Sequence, residues 1–284
     1  MTAVEAHMDQ QNGAQRTVDA QAAQGEAAAG RAPLGDAPFD LGAECGASTL
    51  FDQIEQEGLS ARGDLAQADR HVAALTSACA REAQNRLRGL VQGALAEGLN
   101  PEEILEVFLQ TALYSGFPTA ERAHAVAAEV FANQGRACFW REQLVDDPDA
   151  TLADGERFKA ELHGVRRNRG HADPDNPSAS ALYRLATLYG YGVIWRRPGL
   201  SVRRRLICAV AGFASLGAQL GSVRKFSQAG LDHGLRLEEL RETIMQTTPY
   251  CGFPRALEAL MALQEAFEAW SAEGGDARGA TAAV

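Results

Sequence analysis

Glu103, Glu106, Gln110 and Tyr114 are spaced three, four and four residues apart, so on a helix they share one face. The same four residue types return at Glu239, Glu242, Gln246 and Tyr250. Carboxylates can take protons, and a phenol can give one or stabilise an oxyanion, so such a stripe can wall a ligand cavity. It can equally cap a helix, with the Tyr hydroxyl on a backbone carbonyl, and the sequence leaves both readings open. Other groups able to move protons are few: His71, His124, and His233 in an Asp-His-Gly turn. Cys251 lies beside Tyr250, where it is either a thiol lining a cavity or small buried filler. Arg88 and Arg224 each precede a glutamine, Gln92 and Gln228, by one helical turn. An arginine there can hold a carboxylate or enolate, or simply pair with a neighbouring glutamate.

These residues repeat because the chain does. A shift of 136 positions lays residues 95–120 on 231–256 without a gap, matching Gly98/Gly234, Glu102/Glu238, Gln110/Gln246, Tyr114/Tyr250 and Gly116-Phe117-Pro118/Gly252-Phe253-Pro254. The chain reads as a tandem duplication. Within each copy the pattern is helical. Asn100-Pro101-Glu102-Glu103 is a helix start, and Ile104, Leu105, Phe108, Leu109 and Ala112 then fall on one face. Tyr114-Ser115-Gly116-Phe117-Pro118 ends that helix and 120–131 resumes another, while 69–95 carries two more. No useful alternating pattern appears, so the expected fold class is all-α, with two helical repeats related by a pseudo-two-fold.

The expected organisation is a flexible arm over 1–45, a first repeat over 46–145 and a linker over 146–178. A second repeat over 179–272 and a flexible tail over 273–284 complete it. Aspartate plus glutamate exceed lysine plus arginine by 37 to 27, which disfavours nucleic acid or an anionic membrane as partner. No membrane-spanning run or signal-peptide core is present, so a soluble, cytoplasmic chain is expected. Its five cysteines are scattered, with no Cys-x-x-Cys pair, which argues against disulfide frameworks and zinc knuckles. Glycine-rich nucleotide loops, metal-ligand clusters and nucleophile elbows are missing too, so neither a cofactor nor a metal is expected. Arg196, Arg197, Arg203, Arg204 and Arg205 form a basic cluster expected to pair with acids across an interface.

Gln246-Thr247-Thr248-Pro249-Tyr250-Cys251-Gly252-Phe253-Pro254 resembles the signature of carboxymuconolactone decarboxylase-like proteins, relatives of the alkylhydroperoxidase AhpD. Tyr189-Gly190-Tyr191-Gly192-Val193-Ile194-Trp195-Arg196-Arg197-Pro198-Gly199-Leu200 resembles the decarboxylase branch's Gly-x-x-Trp-x-Arg-Pro-Gly-Leu motif. The resemblance implies a cofactor-independent enzyme acting by acid–base chemistry on a small molecule. Decarboxylation, isomerisation, ring opening or cyclisation of an enolisable lactone, quinone or aromatic polyketide would fit. The alternative is a non-catalytic helical oligomer that binds an aromatic ligand or a partner protein. Peroxidase-branch members use a Cys-x-x-Cys pair, absent here, so no peroxidase activity is expected. Decarboxylase-branch members carry a His where Leu90 and Phe226 stand in this chain. His71 stands roughly where the peroxidase branch has an assisting Glu. Family members with one repeat per chain often assemble as hexamers, so the resemblance implies a homo-oligomer here, three two-repeat chains in a ring. The expected site has Tyr250 and Arg224 orienting a carbonyl or enolate, with His71 or Tyr114 as the proton carrier. Trp195, Phe226, Phe253, Tyr191, Gln246, Cys251 and His124 would line it.

Overall fold

The computed structural model describes residues 46–59, 62–140, 142–168, 178–217 and 219–275. The chain divides into two compact units, Met1–Ser48 and Thr49–Val284, and the second holds the fold described below. The expected arm lies outside the described residues, as does all but the first few residues of the expected tail.

Every regular element among the described residues is helical. Helix α1 (Gly46–Gln53) runs into a π-helical turn, Ile54–Leu59. The first repeat continues with α2 (Gln67–Ala80), α3 (Gln84–Ala96), α4 (Pro101–Ser115) and α5 (Phe117–Asn133). Next comes α6 (Pro148–His163). The second repeat opens with α7 (Ser180–Leu185) and another π-helical stretch, Ala186–Val193. Then follow α8 (Val202–Leu216), α9 (Leu220–Asp232), α10 (Leu237–Met245), the short α11 (Thr248–Cys251) and α12 (Phe253–Ala272).

Local chemistry sets the helix boundaries. The Asn100 side chain accepts from the Glu103 amide at 2.8 Å, and Glu103 returns the bond to the Asn100 amide at 3.0 Å. Gly116 and Gly252 end the central helices with φ of +94° and +85°, a conformation that favours glycine. Repeat two differs in one way. Pro249 lacks an amide proton, and the helix that is continuous as α4 is divided there into α10 and α11.

The core is one layer of apolar side chains shared by both repeats. Val72, Leu75, Leu87, Val91, Ile104 and Phe108 of repeat one, and Leu206, Ile207, Val210, Val223, Leu240 and Ile244 of repeat two, are fully buried. Helices α2 and α8 pack along each other at the junction, where Ser215 Oγ donates to Ser77 Oγ at 3.0 Å. Contacts across it are reciprocal: Glu106 of repeat one meets Arg197 and Arg205 of repeat two, and Glu242 of repeat two meets Arg62 and Arg70 of repeat one. Such exchange of equivalent contacts is the mark of a two-fold relation.

The stretch expected to be a linker contains α6, so that expectation is corrected. Asp147 caps the helix, its carboxylate accepting from the amides of Asp149 and Ala150 at 3.1 and 3.0 Å. Inward positions Gly155, Lys159 and Leu162 follow helical spacing, but a glycine and a lysine disguise the apolar face. Helix α6 packs on Ala186–Val193 through two facing glycines. A Cβ on Gly155 would meet the Thr187 carbonyl oxygen at 2.4 Å, and one on Gly192 would meet the Thr151 carbonyl oxygen at 2.5 Å.

Candidate functional site

The polar stripe on α4 turns inward. Glu106 is 2% exposed and its carboxylate accepts from Arg197 Nε at 2.6 Å and Arg205 Nη2 at 2.8 Å. Arg205, wholly buried, also donates to Gln110 Oε1 at 3.0 Å, and Gln110 Nε2 donates to the Tyr114 hydroxyl at 2.8 Å. Repeat two pairs its stripe likewise, Arg62 and Arg70 holding Glu242 at 2.7 and 3.3 Å, but Gln246 Nε2 turns back to donate to Glu242 at 3.1 Å. The acids of the stripe are therefore consumed by arginines. Only the tyrosines at its end reach open space, and neither hydroxyl takes the backbone carbonyl that the helix-capping reading assigned it. Buried charge this well paired is costly to break, because a lone partner keeps its desolvation penalty.

The arginines of the two ladders correspond at a shift of 135, one less than the shift between the later helices. Arg70 Nε donates to the Leu65 carbonyl at 2.8 Å, and Arg205 Nε to the Leu200 carbonyl at 3.2 Å. Arg62-Gly63-Asp64-Leu65 is thus the counterpart of Arg197-Pro198-Gly199-Leu200. The slip is absorbed because α8 has 15 residues and α2 has 14. Of the rest of the basic cluster, Arg204 pairs across the repeats with Asp69 and Glu103, Arg203 with Asp69 and with Glu239 of its own repeat, and Arg196 with Asp154 of α6.

Two cavities follow from the two-fold. The larger, about 670 Å³, is lined by Tyr114 of repeat one and by Tyr183, Tyr191, Trp195, Phe213 and Phe226 of repeat two. Trp195 stacks between Tyr191 (6.2 Å, 12°) and Phe226 (5.8 Å, 7°). The Tyr114 ring lies 4.6 Å from Phe213, and it fits because residue 212 is glycine, where a Cβ would come within 2.9 Å of the ring. Arg166, Arg224 and Lys225 line this cavity, and Arg166 is itself held by the carboxylates of Asp232 and Glu273. Arg224 pairs with Glu265 at 2.7 Å, the bonding that Arg88 repeats with Glu129 at 2.5 Å.

The smaller cavity, about 380 Å³, is lined by Tyr250, Gln246, His71, Glu55, Arg86 and Leu90 among others. Tyr250 donates to Glu55 Oε1 at 2.8 Å. Tyr250 and His71 therefore share one cavity, while Tyr114, Arg224, Trp195, Tyr191 and Phe226 share the other. The single mixed site expected from the sequence is corrected on this point. The two-fold faces the Tyr of one repeat towards the α3-type helix of the other, a pairing that sequence alone does not display. Three expected lining residues belong to neither cavity. Phe253 is 60% exposed, Cys251 Sγ lies 3.4 Å from Thr247 Oγ1, and His124 Nε2 bonds the Leu105 carbonyl at 3.0 Å beneath Trp140.

One group at the larger cavity was invisible to sequence reasoning. His163, the last residue of α6, is fully buried, and its Nε2 lies 3.0 Å from the Tyr191 hydroxyl. Its ring meets Phe226 edge-on at 5.0 Å, beside the position where the resemblance places a histidine. Burial and the charges of Lys225 and Arg166 push His163 down to about 2, so the imidazole is neutral. Burial likewise holds Tyr114, Tyr191 and Tyr250 well above the usual phenol range, so each keeps its proton and can donate it. Cys79 and Cys208 are buried thiols raised to about 12, unsuited to nucleophilic work near neutral pH.

The sequence profile of the carboxymuconolactone decarboxylase family matches the chain twice, over residues 47–129 and 180–265. A nitrosuccinic acid decarboxylase of Metarhizium robertsii is 27% identical over 81 residues, 28% of this chain and 56% of that protein. A 4-carboxymuconolactone decarboxylase of Acinetobacter baylyi is 29% identical over 80 residues, 28% of this chain and 59% of that protein. The matches thus span less than two thirds of either relative's length. Both family matches fall on the two helical units described above, and together they cover more than half of the sequence. The chain belongs to the carboxymuconolactone decarboxylase family, with the family's helical unit present twice.

Proposed function

We propose that the protein is a cofactor-independent, decarboxylase-like enzyme acting by acid–base chemistry on a small, enolisable carboxylate in the larger cavity. One observation carries this reading: an aromatic cavity of about 670 Å³ whose lining joins a proton-bearing phenol to the basic side chains of Arg224 and Lys225. Stacked Trp195 and Phe226 offer flat apolar walls to a planar substrate. Arg224, whose pair with Glu265 is exposed and therefore weak, can exchange that partner for a substrate carboxylate. Loss of carbon dioxide leaves an electron pair on carbon, which needs an acceptor group and then a proton. In this reading the Tyr114 hydroxyl, hydrogen-bonded by Gln110, gives that proton, and Tyr191, hydrogen-bonded to His163, stabilises the enolate oxygen. Relatives named as decarboxylases favour this reaction over isomerisation or ring opening.

A cytoplasmic location and assembly into a homo-oligomer belong to the same reading. No helix among the described residues is long and apolar enough to cross a membrane. The test is carbon dioxide release from a panel of aromatic β-keto acids and unsaturated lactone acids. Tyr114→Phe, which removes one hydroxyl and keeps the ring, should lower turnover by about 100-fold with folding unchanged. Full turnover in that variant, or no release and no binding across the panel, would remove the assignment.

A further inference from the structure

The chain has 27 lysines plus arginines, and only Lys159 and Lys225 are lysines. The fold brings these two together. Lys225 lines the larger cavity from α9. Lys159, on α6, is buried behind the same wall, its ammonium 5.1 Å from the ring centre of Tyr183 and 2.7 Å from Glu156. Everywhere else the chain meets its need for positive charge with arginine, which cannot release its proton. A lysine can, and it then presents a lone pair. Across the two-fold, the residue equivalent to Lys225 is Gly89 in the smaller cavity, so the amine equips one site alone.

We propose that Lys225 is a covalent catalytic residue that forms an imine with the ketone of a β-keto acid bound in the larger cavity. This rests on the cavity being the substrate site of a decarboxylase-like enzyme, and it names the substrate class. Burial and the nearby charge of Lys159 lower Lys225 to about 8, so much of it is neutral in mild alkali. Its Nζ donates to the Arg167 carbonyl at 3.1 Å, which orients the amine and leaves the lone pair available for attack. The other charged or titratable groups around it are Arg166, Arg224, Glu265, His163, Tyr183 and Tyr191.

The chemistry balances with water alone. The amine lone pair attacks the ketone carbon, protons move to the oxygen, and water leaves to give an iminium ion. The bond to the carboxylate then breaks, carbon dioxide departs, and the electron pair flows through the new C=C bond onto nitrogen as an enamine. A proton, supplied from the Tyr114 side of the cavity, adds to carbon. Water hydrolyses the resulting iminium ion, releasing the ketone and the free amine.

The test is reductive trapping on the full chain. Benzoylacetate, an aromatic β-keto acid, and 4-hydroxybenzaldehyde, which needs no decarboxylation, are each incubated with the protein and sodium cyanoborohydride. Adducts are located by peptide mass spectrometry, carbon dioxide is measured, and binding is followed by tryptophan fluorescence with Trp195→Phe as control. Both probes should label Lys225 at least tenfold more than Lys159 or the N-terminal amine. Labelling should rise with pH through about 8. Lys225→Arg should abolish it, and Lys159→Gln should move the rise to higher pH. Equal labelling of all amines, or an adduct with the aldehyde alone, would overturn the proposal. Carbon dioxide release without any Lys225 adduct would overturn it while leaving the decarboxylase reading in place. Absence of binding by both probes would overturn the two together.

Discussion

His163 illustrates how a residue outside both repeats can shape the site. It ends α6, is enclosed by Phe226 and Tyr191, and bonds the Tyr191 hydroxyl. Its pKa lies near 2 in the folded chain, against roughly 6.5 when unfolded. Above pH 6.5 the imidazole is neutral in both states and contributes no pH dependence. As pH falls below that value, the unfolded chain takes up a proton that the native chain refuses, so stability is lost. The expected loss is up to about 1.4 kcal/mol per pH unit for one such histidine. His71 and His124 are shifted the same way by burial and add to the slope. Urea unfolding at pH 7, 6, 5 and 4 should therefore show a shallower acid slope for His163→Gln than for the parent. Equal slopes would mean that His163 carries a proton in the native state. At this scale the duplicated stripe made Tyr114 and Tyr250 legible in the sequence, and the Trp-x-Arg-Pro-Gly-Leu resemblance pointed to Trp195. His163 and Lys159 had no such signal because α6 lies between the repeats, and Lys225 had none because its counterpart in repeat one is Gly89. Arg62 and Arg70 were hidden differently: their match to Arg197 and Arg205 is one residue out of step with the later helices.

Helix α6 is the element that makes the two halves of the molecule unequal. It lays Phe158 against Trp195 at 6.2 Å, places His163 on Tyr191, and buries Lys159 beside Tyr183. All three depend on a close approach that Gly155 and Gly192 permit. A side chain at residue 155 would strike the Thr187 carbonyl, which is backbone and cannot rotate away. Gly155→Val should therefore push α6 outwards and destabilise the fold by about 1–3 kcal/mol, as overpacking does. It should also weaken aromatic ligand binding in the larger cavity while leaving the smaller one, which α6 does not line, unchanged. Calorimetry with an aromatic carboxylate and thermal unfolding would show both effects, and unaltered stability would mean that the helices do not touch as described. The sequence displayed the helices inside each repeat because caps, prolines and apolar spacing agree there. It concealed α6 because the inward face of that helix is made of glycine, lysine and a few large apolar residues, and helical packing overrode composition.

The compact unit Thr49–Val284 is a pseudo-dimer in one chain, and the outer faces of its two repeats are not alike. On α12, Phe253, Leu257 and Met261 stand four residues apart on one face, exposed by 60%, 59% and 68%. Their equivalents on α5 are Phe117, Glu121 and Ala125, so the apolar stripe belongs to repeat two alone. A two-fold contact between chains would set this stripe against itself, whereas a ring would set it against a different surface of the next chain. Rings of that kind close when the rotation between neighbours divides the circle, and three chains would place six helical units around it. An exposed run of large apolar side chains supplies the area that such a contact buries. We therefore expect light scattering to report a stable trimer at micromolar concentration. Replacing Leu257 and Met261 together by lysine should dissociate it without unfolding the chain, because neither side chain is part of the buried core. Circular dichroism would confirm that the helices remain, and the larger cavity, which neither residue lines, should still bind its aromatic ligand. A parent protein that is monomeric at that concentration would remove the ring, and a trimer indifferent to the double substitution would move its seam elsewhere.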